Sequence, residues 1–248
     1  MFHFFVTADQ ISPEEIRIEG GDVNHIRNVL RMNPGEQISI SDKDSGREYF
    51  CEVVTLEADC VTARILSSKE ASTELPSRIC LFQGLPKSDK MELIIQKAVE
   101  LGVYEIVPVA TKRAVVKLDK KKEESKLKRW NAISESAAKQ SKRTIIPEVK
   151  TVMTFGEALQ YAQAQYDKKV IPYEHAEGID STREMLGTIM PGDSVAVFIG
   201  PEGGFEDSEI QKAQENGTMP ITLGKRILRT ETAGLAVLSV LMMQLERD

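Results

Sequence analysis

Disulfide and metal chemistry are hard to build from this sequence. Its 248 residues include only three cysteines, three histidines and one tryptophan. Cys51, Cys60 and Cys80 form no CxxC pair and no even framework. That argues for a reducing compartment, here the cytoplasm, and against a thiolate zinc site. His3, His25 and His175 are scattered without ligand spacing, so no metal is expected. The opening MFHFFVTADQISPEE lacks the basic-then-apolar pattern of a signal peptide. The longest apolar stretch, 233–245, is interrupted by Gly234, Ser239 and Gln244 and is too short to span a bilayer. Neither GxGxxG nor GxxxxGK[ST] occurs, so dinucleotide and nucleoside-triphosphate readings lack support. There is no internal repeat and no low-complexity tract.

The net charge of −6 argues by itself against a nucleic-acid partner, but the charge is unevenly placed. Residues 111–150 hold thirteen Lys and Arg against five Asp and Glu, a local balance of +8. Residues 1–72 carry seven basic against thirteen acidic, a balance of −6. Attraction to phosphate acts over about a Debye length, so a concentrated basic segment suffices for an anionic polymer. The run Lys120-Lys121-Lys122 alone is better taken as a solvated helix face.

Residues 37–40, 49–54 and 61–66 are β-rich pieces separated by turn formers such as Asn33-Pro34-Gly35. They predict a small barrel or sandwich over 1–72, with a polar linker at 67–77. The rhythm then changes. Strands are predicted at 79–84, 105–109, 170–172, 194–199 and 221–223. Helices are predicted from a Ser88/Asp89 cap with Glu92, over 124–141, from a Thr154/Glu157 capping box to Gln165, over 182–189, from Asp207 to Gly217, and from Thr230. This alternation implies an α/β domain with a mostly parallel sheet over 73–248. Lys97 with Glu100 is read as a helix salt bridge, and Trp130 as a helix-face anchor.

Two segments carry chemistry. FIGPEGGF, 198–205, follows a strand and precedes a helix, and Gly200, Gly203 and Gly204 leave backbone amides bare for close approach. Ligands of open α/β sheets sit beyond the carboxyl ends of strands, where this loop falls. LGKRILRTETAGLAVL, 223–238, joins a second strand end to a helix whose N-terminus offers free amides. Lys225, Arg226 and Arg229 lie just before that start. Two such loops about 25 residues apart in sequence favour a joint site.

Together these segments resemble the ribosomal RNA uridine-N3 methyltransferase family called RsmE, within the SPOUT superfamily. HIRNVLR (25–31), KSDKMELIIQKAVELGVYEIVPV (87–109), RWNAISESAAKQSKR (129–143) and Pro147-Glu148 fit as well. Residues 150–191 carry little of the resemblance. It implies a PUA-like RNA-binding β-barrel followed by an α/β domain that closes in a deep trefoil knot, in a homodimer. It also implies S-adenosylmethionine as cofactor and N3-methyluridine in small-subunit ribosomal RNA as product. The cofactor would lie against Ile171, against Ile199, Gly200, Pro201, Glu202 and Gly203, and against Leu223, Gly224, Ile227, Leu228, Thr230 and Ala233. His25 and Arg31 resemble the family's RNA-contacting pair. Lys87, Lys112, Arg113, Arg143 and Arg226 are further RNA candidates. A methyl group already activated on sulfur requires no metal. The uracil N3 proton must leave, and Glu202 or Glu231 can accept it while Arg229 stabilises the developing charge. A methyltransferase for another RNA position and a non-catalytic RNA-binding module are the rival readings; the glycine loops disfavour the second, because a pure binder needs no small-molecule pocket.

Overall fold

The computed structural model describes residues 1–70, 73–176 and 178–247. The expected boundary residue Ser72 lies outside them. Contacts divide the chain into two compact units: Met1–Glu74 with Ala138–Ile146, and Leu75–Ala137 with Pro147–Asp248. No helix among the described residues is long and apolar enough to cross a membrane.

In the first unit five strands, β1 (Phe2–Val6), β2 (Glu15–Glu19), β3 (Gln37–Asp42), β4 (Glu48–Leu56) and β5 (Cys60–Lys69), pair in the order β1-β3-β4-β5-β2. β1 runs parallel to β3, and the other pairs are antiparallel. The sheet is curled, with β1 and β2 at its ends, where a closed barrel was expected. Alternation places Ile16, Ile18, Ile38, Ile40 and Val61 in one core. The three predicted strands are present and longer. β5 continues to Lys69, so the first residues of the predicted linker are strand. β1 and β2 were not predicted. EIRIE in β2 alternates exposed and buried throughout and was legible; FHFFV in β1 is buried at four of five positions and shows no alternation.

A short helix, α1 (Gly21–Asn24), runs into a π-helical turn at His25–Val29. His25 and Arg31 on this stretch are exposed. Asp22 in α1 takes the Lys139 ammonium at 2.7 Å. Arg143 is 4% exposed. Its Nε donates to Glu74 at 3.1 Å, and the Thr144 amide donates to the same carboxylate at 2.8 Å. This corrects the expectation of an RNA contact at Arg143: a charge buried against its own carboxylate is withheld from solvent phosphate.

The second unit is a parallel sheet. Its strands are β6 (Arg78–Gly84), β7 (Glu105–Ala110), β8 (Glu148–Val149), β9 (Met153–Thr154), β10 (Lys168–Pro172), β11 (Ser194–Ile199) and β12 (Met219–Ile221). They run in the order β12-β10-β11-β6-β7-β8, with β9 also on β7, and every pairing is parallel. The helices are α2 (Lys90–Glu100), α3 (Lys120–Ser141), α4 (Phe155–Gln165), α5 (Ile179–Gly187), α6 (Asp207–Glu215) and α7 (Thr230–Leu245). β6 and β11 are buried almost throughout, as parallel strands covered on both faces must be. Phe82 and Phe198 stack across them at 4.4 Å between ring centroids.

The Thr154/Glu157 capping box forms as predicted, satisfying amides that α4 leaves open, which is worth about 1 kcal/mol. The Asp89/Glu92 box does not. Glu92 instead accepts Arg129 Nη2 at 2.7 Å, and Asp89 caps α2 with no side-chain bond. A guanidinium outcompetes a backbone amide for that carboxylate because both partners are charged. α3 begins at Lys120 rather than 124, since Asp119 accepts the Lys122 amide at 2.9 Å and opens the helix earlier. α5 begins at Ile179 rather than 182. β12 ends at Ile221, which leaves Leu223 in the loop that follows. Trp130 anchors α3 at 3% exposure, and Lys97 bonds Glu100 at 2.8 Å.

Candidate functional site

The carboxyl ends of β10, β11 and β12 open into a pocket of about 840 Å³, all within the second unit. Three connections contribute to it: 173–176 with 178–179 after β10, 200–206 after β11 and 222–229 after β12. Chain order reverses between β6 and β11, the kind of position where doubly wound sheets bind ligands.

The first glycine loop is shaped by its own close contacts. A Cβ on Gly200 would lie 3.0 Å from the Gly204 backbone, and one on Gly84 would lie 2.7 Å from Pro201. Both glycines are therefore required by the loop's path. Gly204 closes a turn onto the Pro201 carbonyl at 2.9 Å with φ of +66°. Arg113 Nη1 donates to the Gly203 carbonyl at 3.0 Å and braces the loop from the segment after β7. The second loop is different. Gly224 borders the cavity with φ of +99°, and a Cβ there would meet nothing within 4 Å. Thr230, at the start of α7, joins the loops: its hydroxyl donates to the Gly200 carbonyl at 2.6 Å and accepts Gln83 Nε2 at 2.9 Å.

Of the residues expected at the cofactor, Ile199, Gly200, Pro201, Glu202 and Gly203 border the cavity on one side. Leu223, Gly224, Ile227, Leu228, Thr230 and Ala233 border it on the other. Ile171 does not. It is fully buried in the core that contains Phe82 and Phe198, as an interior strand covered on both faces requires, while Pro172 and Tyr173 border the cavity. Tyr173 was missed by sequence reasoning, and its hydroxyl donates to Asp207 at 2.7 Å.

Among the three catalytic candidates, Arg229 and Glu202 border the cavity and Glu231 does not. Arg229 is exposed and forms no ion pair among the described residues. Glu202 accepts the Lys87 backbone amide at 3.1 Å and lies 3.0 Å from Lys90 Nζ. Burial pushes its carboxyl up, but its own amide, the Lys90 ammonium and the Lys87 amide outweigh that and hold it below the ordinary range. Glu231 turns toward Lys90, at 3.3 Å. Lys90 was not anticipated; nothing in its helical spacing distinguishes it from a solvated lysine.

The RNA candidates in this unit differ in availability. The Lys87 side chain and Arg226 are exposed. Lys112 has its ammonium on Glu206 at 3.0 Å, and Arg113 is committed to Gly203. Among the described residues no group of three or more His, Cys, Asp or Glu could hold a metal.

Residues 18–66 match the model of an RNA methyltransferase PUA domain, and residues 73–242 that of an RNA methyltransferase domain. Ribosomal RNA small subunit methyltransferase E of Bacillus subtilis (strain 168) is 38% identical over 252 residues, covering 99% of this chain and 98% of that protein. A putative methyltransferase from Legionella pneumophila, solved with bound cofactor SAM, superposes at a TM-score of 0.86 and 32% identity, covering 98% and 97% of the two chains. Ribosomal RNA small subunit methyltransferase E from Neisseria gonorrhoeae, bound to S-adenosyl methionine, does so at 0.84 and 33%, again over 98% and 97%. With a domain model matched on each side of the 66–73 junction and relatives alike from end to end, the chain belongs to the RNA methyltransferase family that includes ribosomal RNA small subunit methyltransferase E.

Proposed function

We propose that this chain methylates N3 of uridine in small-subunit ribosomal RNA with S-adenosylmethionine as methyl donor. The observation that carries the reading is the pocket formed where two glycine loops meet at Thr230 and Gly200. Its volume falls within the ~300–1,000 Å³ usual for small-molecule sites. The fit rests on the open side of Gly224, which a side chain would fill, and on backbone amides bared at the start of α7. Ile199 to Gly203 and Leu223 to Ala233 would hold the cofactor, with Glu174 and Glu202 supplying negative charge at the pocket for a cationic ligand. When bound, the cofactor supplies a methyl group already activated on sulfonium.

The chain's own residues handle the base. Uracil must leave its stack to expose N3, whose edge is otherwise paired. Glu202, ionised at neutral pH and facing the cavity, accepts the N3 hydrogen directly or through water. Arg229 meets the negative charge that spreads to the carbonyl oxygens as that proton leaves. Exposed His25 and Arg31 of the first unit, and Lys87 and Arg226 of the second, contact RNA. Lys112 and Arg113 join them by exchanging their present partners for phosphate.

The first unit, in this reading, is the PUA-like barrel that holds RNA, and the segment ending in α7 is drawn through a loop as a trefoil knot. The chain pairs with a second copy through α7, where Val240 and Met243 are 49% and 76% exposed although the helix is apolar nearly all round. Light scattering at micromolar concentration should give the mass of a dimer; a monomer mass removes the α7 interface.

Thermal unfolding with and without S-adenosylmethionine tests the pocket. Ligand at a hundredfold excess over its dissociation constant should add about 2.7 kcal/mol. A melting temperature unmoved at millimolar ligand argues against the cofactor. Mapping methylated uridines in a deletion strain tests the target, and an unchanged map sinks it.

A further inference from the structure

Lys90 ties together three elements of the pocket. It is the first residue of α2, and its ammonium stands 3.0 Å from Glu202 Oε1 on the loop after β11. The same ammonium stands 3.3 Å from Glu231 Oε2 in the first turn of α7. Glu231 Oε2 is shielded from solvent and makes no aligned hydrogen bond, so the ammonium is what offsets its charge. The three side chains are 31%, 27% and 16% exposed, well short of the open surface where such pairs contribute little. Lys90 and Glu202 border the cavity, and Glu231 does not.

We propose that Lys90 is a positioning residue that couples the two pocket loops, bridging Glu202 and Glu231 so that cofactor affinity and turnover depend on a side chain from a third element. The inference rests on the methyltransferase reading above. Thr230 joins the same loops on the core side through the Gly200 carbonyl, and Lys90 joins them through charge. Two carboxylates facing one ammonium repel each other once it is removed, and the loops then lose their fixed separation. Removal also takes away one of the contacts that keep the Glu202 carboxyl below its ordinary range, so that carboxyl rises. If methylation needs Glu202 ionised, its acid limb moves to higher pH. The other charged side chains that border the cavity are Glu174, Lys225, Arg226 and Arg229. The backbone amides of Glu202 itself and of Lys87 still hold the carboxyl down, so the rise is partial.

The experiment uses the full chain as wild type, Lys90→Met, Lys90→Arg, Glu231→Gln and the double variant Lys90→Met/Glu231→Gln. Cofactor affinity is read by calorimetry and single-turnover methylation is read across pH, with circular dichroism melts to check folding. Lys90→Met should bind S-adenosylmethionine about tenfold more weakly, equivalent to about 1.4 kcal/mol, with its acid limb displaced upward. Lys90→Arg should recover most of both. The double variant should be no worse than Lys90→Met, since both substitutions break one bridge. Wild-type affinity and pH profile in folded Lys90→Met overturn the inference. Should that variant fail to fold, Glu231→Gln, which keeps the Lys90–Glu202 pair, must still weaken cofactor binding; unchanged affinity there overturns the inference equally. A wild-type chain that binds no S-adenosylmethionine overturns the functional reading and this inference together. Normal wild-type binding matched by every variant overturns the inference alone.

Discussion

Arg229→Ala is expected to slow single-turnover methylation about a hundredfold at saturating RNA and cofactor, a loss of about 3 kcal/mol in transition-state stabilisation. Arg229 immediately precedes α7 with extended backbone, φ of −67° and ψ of 155°. It borders the cavity, and its guanidinium forms no ion pair among the described residues. Of the other cations that border the cavity, Lys90 is held by two carboxylates, while Lys225 and Arg226 are exposed. Arg229 is thus free to turn toward charge that appears only as the N3 proton leaves, and such an interaction raises the rate rather than the ground-state affinity. Lys121→Ala and Lys122→Ala provide the contrast. Both lysines are exposed on α3, so each change should weaken RNA binding slightly and leave the single-turnover rate alone. Each lost phosphate contact should lower the salt slope by about 0.7 for single-stranded RNA. An Arg229→Ala enzyme that keeps the wild-type rate and only binds RNA less tightly makes Arg229 a phosphate clamp.

Gly224→Val should abolish measurable binding of S-adenosylmethionine, a loss on the order of a hundredfold or more and so about 3 kcal/mol. Two effects add. At φ of +99° a β-branched residue is strained, by about 1–3 kcal/mol. Its side chain would also enter the open side of Gly224, where nothing stands within 4 Å. Gly224→Ala should fall between, with the strain and less of the obstruction. Gly200→Val is a poorer probe, because its Cβ would strike the Gly204 backbone and disturb the loop whether or not a ligand is bound. Calorimetry decides the matter, with melts to show that the fold persists. Cofactor binding of wild-type strength in folded Gly224→Val removes this loop from the cofactor site.

How much of this was legible in the sequence depended on how local the determining physics is. The spans of β11 and the start of α7, and the α4 capping box, follow from neighbours in the chain. Each was readable. The Asp89/Glu92 box had the same signature and failed, because Glu92 found Arg129, 37 residues away in sequence. β12 and the start of α5 lie two or three residues from where the sequence pattern put them, and the Thr222 amide donates to the Thr182 hydroxyl at 3.0 Å, a pairing that no local pattern announces.

The candidate site divides along the same line. Glycine density after two strand ends, and cations before a helix start, pointed to both loops from the sequence alone, since these signals lie within a dozen residues of each other. Which glycine has open space beside it and which only lets the chain pass was decided by tertiary contacts. Gly200 packs against Gly204 while Gly224 opens on empty space, though both read alike in the sequence. Burial likewise turned Ile171 into the core and Arg143 onto Glu74. Lys90 shows the limit most clearly. In sequence it is one lysine at the head of an amphipathic helix. Its partners are 112 and 141 residues away, and only the folding of β11 and α7 beside α2 brings Glu202 and Glu231 to within 3.0 and 3.3 Å of its ammonium. Residue type and spacing marked which segments border the cavity. The long-range pairing of charges, which depends on distance in space rather than along the chain, determined how each residue in them is used.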